Sequence, residues 1–431
     1  MKVKDIKYTH GITKEGLKYI LYKNSKTYSV NITVLVRTGS IFDKIPGESH
    51  LLEHMILKSS KSSNYTKIQK ELEYRGAYRN GTTSYEYNEY YITLPYTELD
   101  YGFSYIKDIL INALLDNKEL NLEKNIIYDE ILKNYNDPYE HSYESTLRNY
   151  LTKKSLFYNS ILGTKQDLEK ISTTNLNNFY LHYNTKNIYV SVSGRFDKQT
   201  TIEKIDQLSE EIKRSKNSVE NKYQDIDIKK PTRLIVNKSN LSKNAIVSLT
   251  NISSTYETFG IKSNITSNLL STILGGTESS YLNQALREKT GYLYSYNLLK
   301  YQHNKFGFEG ILFESNPKDV EKIIYEIHKT INNVKKDKIK KQELNHFKEF
   351  YKNRLLIKND THKSISRTLL FDLFNLKKMY TPARLLEYLD KITLQNINGV
   401  LQKIIVENYN INIFGKTEGI NINNLKKTLG N

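Results

Sequence analysis

Two homologous α+β domains, each a mostly antiparallel sheet packed with helices, are the architecture the sequence predicts. Three observations carry that expectation. Alternating strand patterns recur at a nearly constant offset, helix patterns stand in groups rather than in strict βα alternation, and one polar, charged stretch divides the two series. A chain of 431 residues is also too long for one ordinary domain, which usually holds ~100–200 residues.

The first alternating run is Tyr28–Arg37, YSVNITVLVR. Amphipathic helix patterns follow over Thr66–Arg75 and Tyr101–Leu115. Between them, Asn80 to Ser84, with Glu86 and the pair Tyr90 and Tyr91, reads as a hairpin strand. Leu122–Leu132, LEKNIIYDEIL, reads as a helix that Ile126 and Ile127 bury in part. Asn187–Phe196 is a second alternating strand ending on Gly194, and Thr200–Arg214 is helical. The stretch Lys213–Arg233 is polar, charged and contains a proline, as a linker would be. Domain limits of 1–215 and 231–431, joined by a linker at 216–230, follow. The second series repeats the first: strand Asn244–Thr250, helices Lys318–Val334 and Lys340–Lys358, strand Tyr409–Gly415 ending on glycine, and helix Ile422–Leu429. Gly194 and Gly415 are 415 − 194 = 221 residues apart, and Tyr28 and Asn244 are 244 − 28 = 216 apart. A period of that length marks a duplicated domain, not a solenoid unit.

Composition narrows the chemistry. Hydrophobic residues at 38% and aromatics at 11% suffice for real cores. Cysteine is absent, which excludes disulfides, thiolate zinc sites, iron–sulfur clusters and cysteine nucleophiles. Any metal must use His, Asp or Glu. The formal charge of +17 comes from lysines spread along the whole chain rather than gathered in one stripe, so a solvated basic surface is expected and no nucleic-acid partner. Charges interrupt the first twenty residues, and no run approaches the ~20 apolar residues of a membrane span. A cytoplasmic chain without a transmembrane segment is expected.

The strongest motif is His50-Leu51-Leu52-Glu53-His54. On a helix, residues four apart share a face, so both imidazoles reach one metal ion. Glu53 projects near that face, close enough to touch a metal-bound water. This is the inverted form of the HExxH zinc helix. A catalytic zinc usually takes a third protein ligand and keeps one position open. Glu123 and Glu130, two helical turns apart on one face, are the candidates. The other histidines (His10, His141, His182, His303, His328, His346, His362) lack ligand spacing and are assigned to surface or packing roles.

These residues together resemble the pitrilysin and mitochondrial-processing-peptidase family of zinc metallopeptidases, the inverzincins. The resemblance implies His50, His54 and Glu130 as ligands of one Zn2+ per chain, Glu53 as general base and Glu123 as supporting acid. It implies that the strand of Asn80, Gly81, Thr82 and Thr83, with Tyr91, pairs with a peptide substrate; Gly81 departs from the family's usual alanine there. The phrase Leu274–Tyr296, LGGTESSYLNQALREKTGYLYSY, is similar to the family's second signature. By that likeness Arg287 and Tyr294 bind the substrate carbonyl, and Tyr281 stands where an arginine is common. The implied activity is endopeptidase cleavage of short or unfolded peptides, or maturation of a specific peptide, inside a dimeric chamber. The dimer would be a homodimer or a heterodimer with a homologous subunit, with Arg287 and Tyr294 completing the partner's site. The alternative is a non-catalytic partner subunit or scaffold of a heterodimeric peptidase. Such subunits typically lose part of HxxEH, which this chain keeps.

Overall fold

Six strands form the first sheet: β1 (Thr9–Ile12), β2 (Lys18–Lys23), β3 (Ser29–Val36), β4 (Tyr78–Thr83), β5 (Asn88–Pro95) and β6 (Ile188–Gly194). Their spatial order is β1-β2-β6-β3-β5-β4, antiparallel throughout except for the β2–β6 pair. Five more form the second: β7 (Leu234–Lys238), β8 (Ala245–Ile252), β9 (Tyr296–Gln302), β10 (Gly307–Ser315) and β11 (Asn410–Gly415), in the order β7-β11-β8-β10-β9. The β7–β11 pair is parallel and the others antiparallel. Removing β1 makes the two sheets the same in order and direction, which is the duplication written in backbone. The computed structural model describes residues 5–216, 219–258 and 260–428.

The chain divides into two compact units, each taking one helix from the far side of the 216–230 segment. The first holds the described residues of Met1–Leu132 together with Leu156–Gln224 and Lys358–Thr381. The second holds Lys133–Ser155, Asp225–Ile357 and the described part of Pro382–Asn431.

In the first unit Val30, Ile32, Val34 and Val36 of β3 enter the main core with Leu51, Leu52 and Met55. The opposite face of β3 carries Asn31 and Thr33, and these are buried too. The helix His362–Leu376 covers that face with Ile365, Leu369, Leu370 and Phe374. Polar groups under it are paired: Asn31 donates to Thr93, Thr33 to Asn31, and Ser191 bonds Ser366. The second unit does the same with the helix Pro138–Tyr150, whose Thr146 bonds Ser248 at 2.7 Å and whose Tyr150 bonds Thr250 at 2.9 Å.

The two glycines that marked the repeat have the same task. Gly194 sits at φ 113° and Gly415 at φ 100°. A Cβ on Gly194 would lie 2.2 Å from the Ser29 carbonyl oxygen, and one on Gly415 2.5 Å from that of Asn244. Only glycine meets both conditions. Gly194→Ala should cost about 1–3 kcal/mol of stability from backbone strain alone. Urea denaturation of the variant reads this as a lower midpoint; an unchanged midpoint would refute it.

Of the 216–230 stretch, residues 217 and 218 lie outside the described ones. The Lys216 amine is buried and donates to the Tyr180 carbonyl, and Asn221 donates to the Arg37 carbonyl. Both ties fasten the stretch to the first unit. The helix pattern read over Tyr101–Leu115 is α-helical only over Leu99–Lys107 and then widens into a π-turn, Asp108–Asn112. It stops there because Ala113 turns extended and bridges Ser60. The last helix is described over Ile422–Thr428, and Leu429 lies outside the described residues. No described helix is long and apolar enough to cross a membrane.

Candidate active site

The HxxEH segment is a helix, Glu48–Ile56, whose start is fixed by the Asp43 carboxylate accepting the N–H groups of Gly47 and Ser49 at 2.9 and 3.0 Å. Leu51, Leu52 and Met55 bury one side of it, which turns His50, Glu53 and His54 toward β4 and the helix Asn117–Tyr135. That second helix is partly buried, as expected: Leu120 and Ile127 anchor it, and Ile126 faces solvent. The register places Glu123 and Glu130 on the side facing the histidines.

His50, His54 and Glu130 converge, with one donor atom from each within 4.8 Å of the others. The Glu130 Oε2 oxygen is 3.8 Å from His50 Nε2 and 3.9 Å from His54 Nε2. Ligands about 2.0–2.1 Å from a tetrahedral zinc stand about 3.3–3.5 Å apart, so the two separations to Glu130 need close by only a few tenths of an ångström. Among the described residues this is the only such group of His, Asp and Glu.

The electrostatics divide the two histidines. Burial, and then the neighbouring His54, push the His50 pKa down to about 3, so His50 is neutral and its nitrogen is a lone-pair donor. His54 is also opposed by burial, but the Glu123 hydrogen bond and the charges of Glu53, Glu123 and Glu130 outweigh this and raise its pKa. The His54 Nδ1–H donates to Glu123 Oε2 at 2.9 Å, which leaves Nε2 turned to Glu130. A carboxylate on the far nitrogen orients a metal-bound imidazole and raises its basicity. Glu123 is buried, and Lys58 Nζ holds its second oxygen at 2.8 Å. Burial alone would raise the Glu123 pKa; these two partners win and lower it. Lys58 was not picked out from the sequence, because one lysine four residues after His54 looks like any solvated lysine. Glu123→Gln should weaken zinc binding about 10–100-fold. A chelator competition titration measures this, and unchanged affinity would remove Glu123 from the site.

Glu53 is buried, with Oε2 4.0 Å from His50 Nε2 and accepting from Thr83 Oγ1 at 3.4 Å. Desolvation raises its pKa to about 6, against the opposing influence of His54 and Thr83. Gly81 makes room for it: a Cβ there would fall 2.2 Å from Glu53 Oε1.

β4 is the edge strand of its sheet. Its alternation splits the strand residues. Gly81 and Thr83 face Glu53, whereas Asn80 and Thr82 are exposed on the other face. Tyr91 is paired with Asn80 and shares that outer face, while Tyr90 is fully buried and bonds Tyr183 at 2.7 Å. Asn88 was missed in the sequence. It is buried and donates to Thr83 and to the Ser49 carbonyl, so it ties strand to helix beneath Glu53.

Arg287 and Tyr294 belong to the second unit. Arg287 lies on a π-turn, Gln284–Lys289, and its guanidinium is 5.5 Å from the Tyr294 ring. Tyr294 is 87% exposed. Tyr281 is directed elsewhere, its hydroxyl bonding Glu343.

Comparison with known proteins now bears on this geometry. The family model described as insulinase (peptidase family M16) matches residues 19–165, and that described as peptidase M16 inactive domain matches residues 170–351. The chain belongs to peptidase family M16. A zinc protease of Bacillus subtilis is 26% identical over 409 residues, covering 92% of this chain and 95% of its own. The mitochondrial-processing peptidase subunit beta of Saccharomyces cerevisiae is 23% identical over 394 residues, covering 86% and 83%. The crystal structure of a peptidase M16 inactive domain from Pseudomonas fluorescens superposes with a TM-score of 0.87 at 14% identity, over 96% of this chain and 99% of that one. A protease from Helicobacter pylori gives 0.82 at 19% identity, over 95% and 100%. The two-domain α+β fold is thus that of the M16 peptidases, and the Bacillus subtilis relative is named a zinc protease.

Proposed function

We propose that this M16 chain is a zinc-dependent endopeptidase acting on short or unfolded peptides. The observation that carries the reading is the convergence of His50, His54 and Glu130, with the Glu53 carboxylate 4.0 Å from His50. His50, His54 and Glu130 would hold one zinc, whose charge polarises water and the scissile carbonyl when it is bound. Glu53 accepts the proton of the attacking water and passes it to the leaving nitrogen. A peptide lying along the free edge of β4 would be held by main-chain hydrogen bonds, whatever its side chains. Arg287 and Tyr294 offer a cation and a hydroxyl to the developing oxyanion. In this reading they come from the other subunit of a dimer, either a second copy or a homologous chain.

Peptidase activity on a peptide mixture, followed by mass spectrometry, tests this. Cleavage should stop with a chelator and return with zinc; cleavage that survives metal removal would overturn the reading. Equal amounts of Glu53→Gln and Arg287→Ala, each inactive alone, should recover up to about a quarter of wild-type activity, because half the random dimers hold one intact site of two. No recovery would mean that each chain completes its own site. An inactive wild-type chain would instead point to a missing homologous subunit.

A further inference from the structure

The second unit holds a cavity of about 340 Å3 between the helix Ile261–Gly275, strands β9 and β10 and the helix Lys341–Lys358. The duplication says what this place is. β3 maps to β8 with an offset of 245 − 29 = 216, and β4 to β9 with 296 − 78 = 218. The helix between them carries Ser267 and Ser271, four residues apart and both lining the cavity. They stand 267 − 50 = 217 and 271 − 54 = 217 residues after His50 and His54. The cavity is therefore the second unit's counterpart of the metal site. Serines stand at the positions that match the two histidines, and no metal-binding group forms there among the described residues.

The floor is apolar, with Leu274, Leu298, Ile311 and Ile331. Two charges line it, Lys300 and Glu309, and of these only Glu309 has no polar partner among the described residues. Glu309 is paired across the strands with Lys300, yet among the described residues the two form no ion pair within 4 Å. The Lys300 amine is held instead by Asn268 and, at 3.2 Å, by Asn264. Tyr409, near enough to Glu309 to feel its charge, also lines the cavity, and its hydroxyl has no hydrogen-bond partner among the described residues. Burial raises the pKa of Glu309, against the opposing charge of Lys300, so its anion is poorly compensated. A volume of this size falls at the small end of ligand pockets, which run about 300–1,000 Å3, and an apolar wall with few polar groups is their usual lining.

We propose that this cavity binds a small apolar amine, its hydrocarbon body on the leucine and isoleucine floor and its ammonium group on Glu309 and Tyr409. The ammonium supplies in direct contact the counter-charge that Lys300 supplies only from beyond 4 Å. A carboxylate on the same body would meet Glu309 with like charge and would have to draw the Lys300 amine away from Asn264 and Asn268, and an alcohol would bring a hydrogen bond but no charge.

Calorimetric titration of the full chain with phenethylamine, phenethyl alcohol and 3-phenylpropionate separates these. Phenethylamine should bind saturably with one site per chain, the alcohol about ten- to a hundredfold more weakly, and the carboxylate not at all, since a charged hydrogen bond is at stake. Glu309→Gln should weaken the amine by the same factor, and Ser271→Phe, which fills the cavity, should abolish binding. Retained far-ultraviolet circular dichroism shows that each variant is folded, and the isosteric Glu309→Gln carries the test if Ser271→Phe does not fold. Absence of saturable amine binding, preference for the carboxylate, or equal affinity in Glu309→Gln would overturn the proposal.

Discussion

Glu53→Gln is expected to lower peptide turnover by about 10²–10⁴-fold, the share that a positioned general base contributes, while metal content stays unchanged. The substitution is close to isosteric, so the geometry around it should survive. A glutamine oxygen can still accept from Thr83, and the space over Gly81 still admits the head group. What disappears is the proton acceptor. In the wild type that carboxylate is buried, and desolvation raises its pKa to about 6, which suits a group that must take a proton and return it. The measurement pairs kcat/KM on a cleaved peptide with elemental analysis of zinc. Near-normal turnover would end the general-base assignment. Lost zinc would instead make Glu53 a ligand, although Glu130 lies slightly nearer His50 Nε2, at 3.8 Å against 4.0 Å for Glu53.

The candidate trio was legible in two steps: helical periodicity puts His50 and His54 on one face and Glu123 and Glu130 on another, and the family resemblance implied Glu130 rather than Glu123 as the third ligand. The duplication was legible because both halves keep a glycine at the same backbone conformation, Gly194 and Gly415. What escaped depends on contacts between residues far apart in sequence. Nothing local marks Lys58 as the partner of Glu123, or Asn88 as the brace between strand and helix. The buried polar face of β3 reads as a solvated one, because its cover, His362–Leu376, comes more than 300 residues later. The division of the β4 residues needed only the period of two. Alternation already sets Asn80 and Thr82 apart from Gly81 and Thr83, but which pair faces the metal is decided by where the HxxEH helix lies.

His54→Ala should remove most of the bound zinc without unfolding the chain. His54 has two tasks, each visible in a distance: Nε2 faces Glu130 at 3.9 Å, and Nδ1 donates to Glu123 at 2.9 Å. Without it, His50 and Glu130 remain as two protein ligands, one fewer than the three that a catalytic zinc usually needs. The loss should exceed that of Glu123→Gln, about 10–100-fold, because a ligand is deleted rather than misoriented. Unfolding is not the expected cause. Glu123 keeps Lys58 at 2.8 Å, so no buried charge is stranded. His54 itself lies nearer the surface than His50, with side-chain exposures of 22% and 9%, so its truncation opens less of the interior. Circular dichroism should therefore match the wild type while elemental analysis shows zinc well below one equivalent. Full occupancy in a folded variant would overturn the ligand assignment. Zinc loss with a collapsed dichroism signal would place His54 in the structure rather than at the metal.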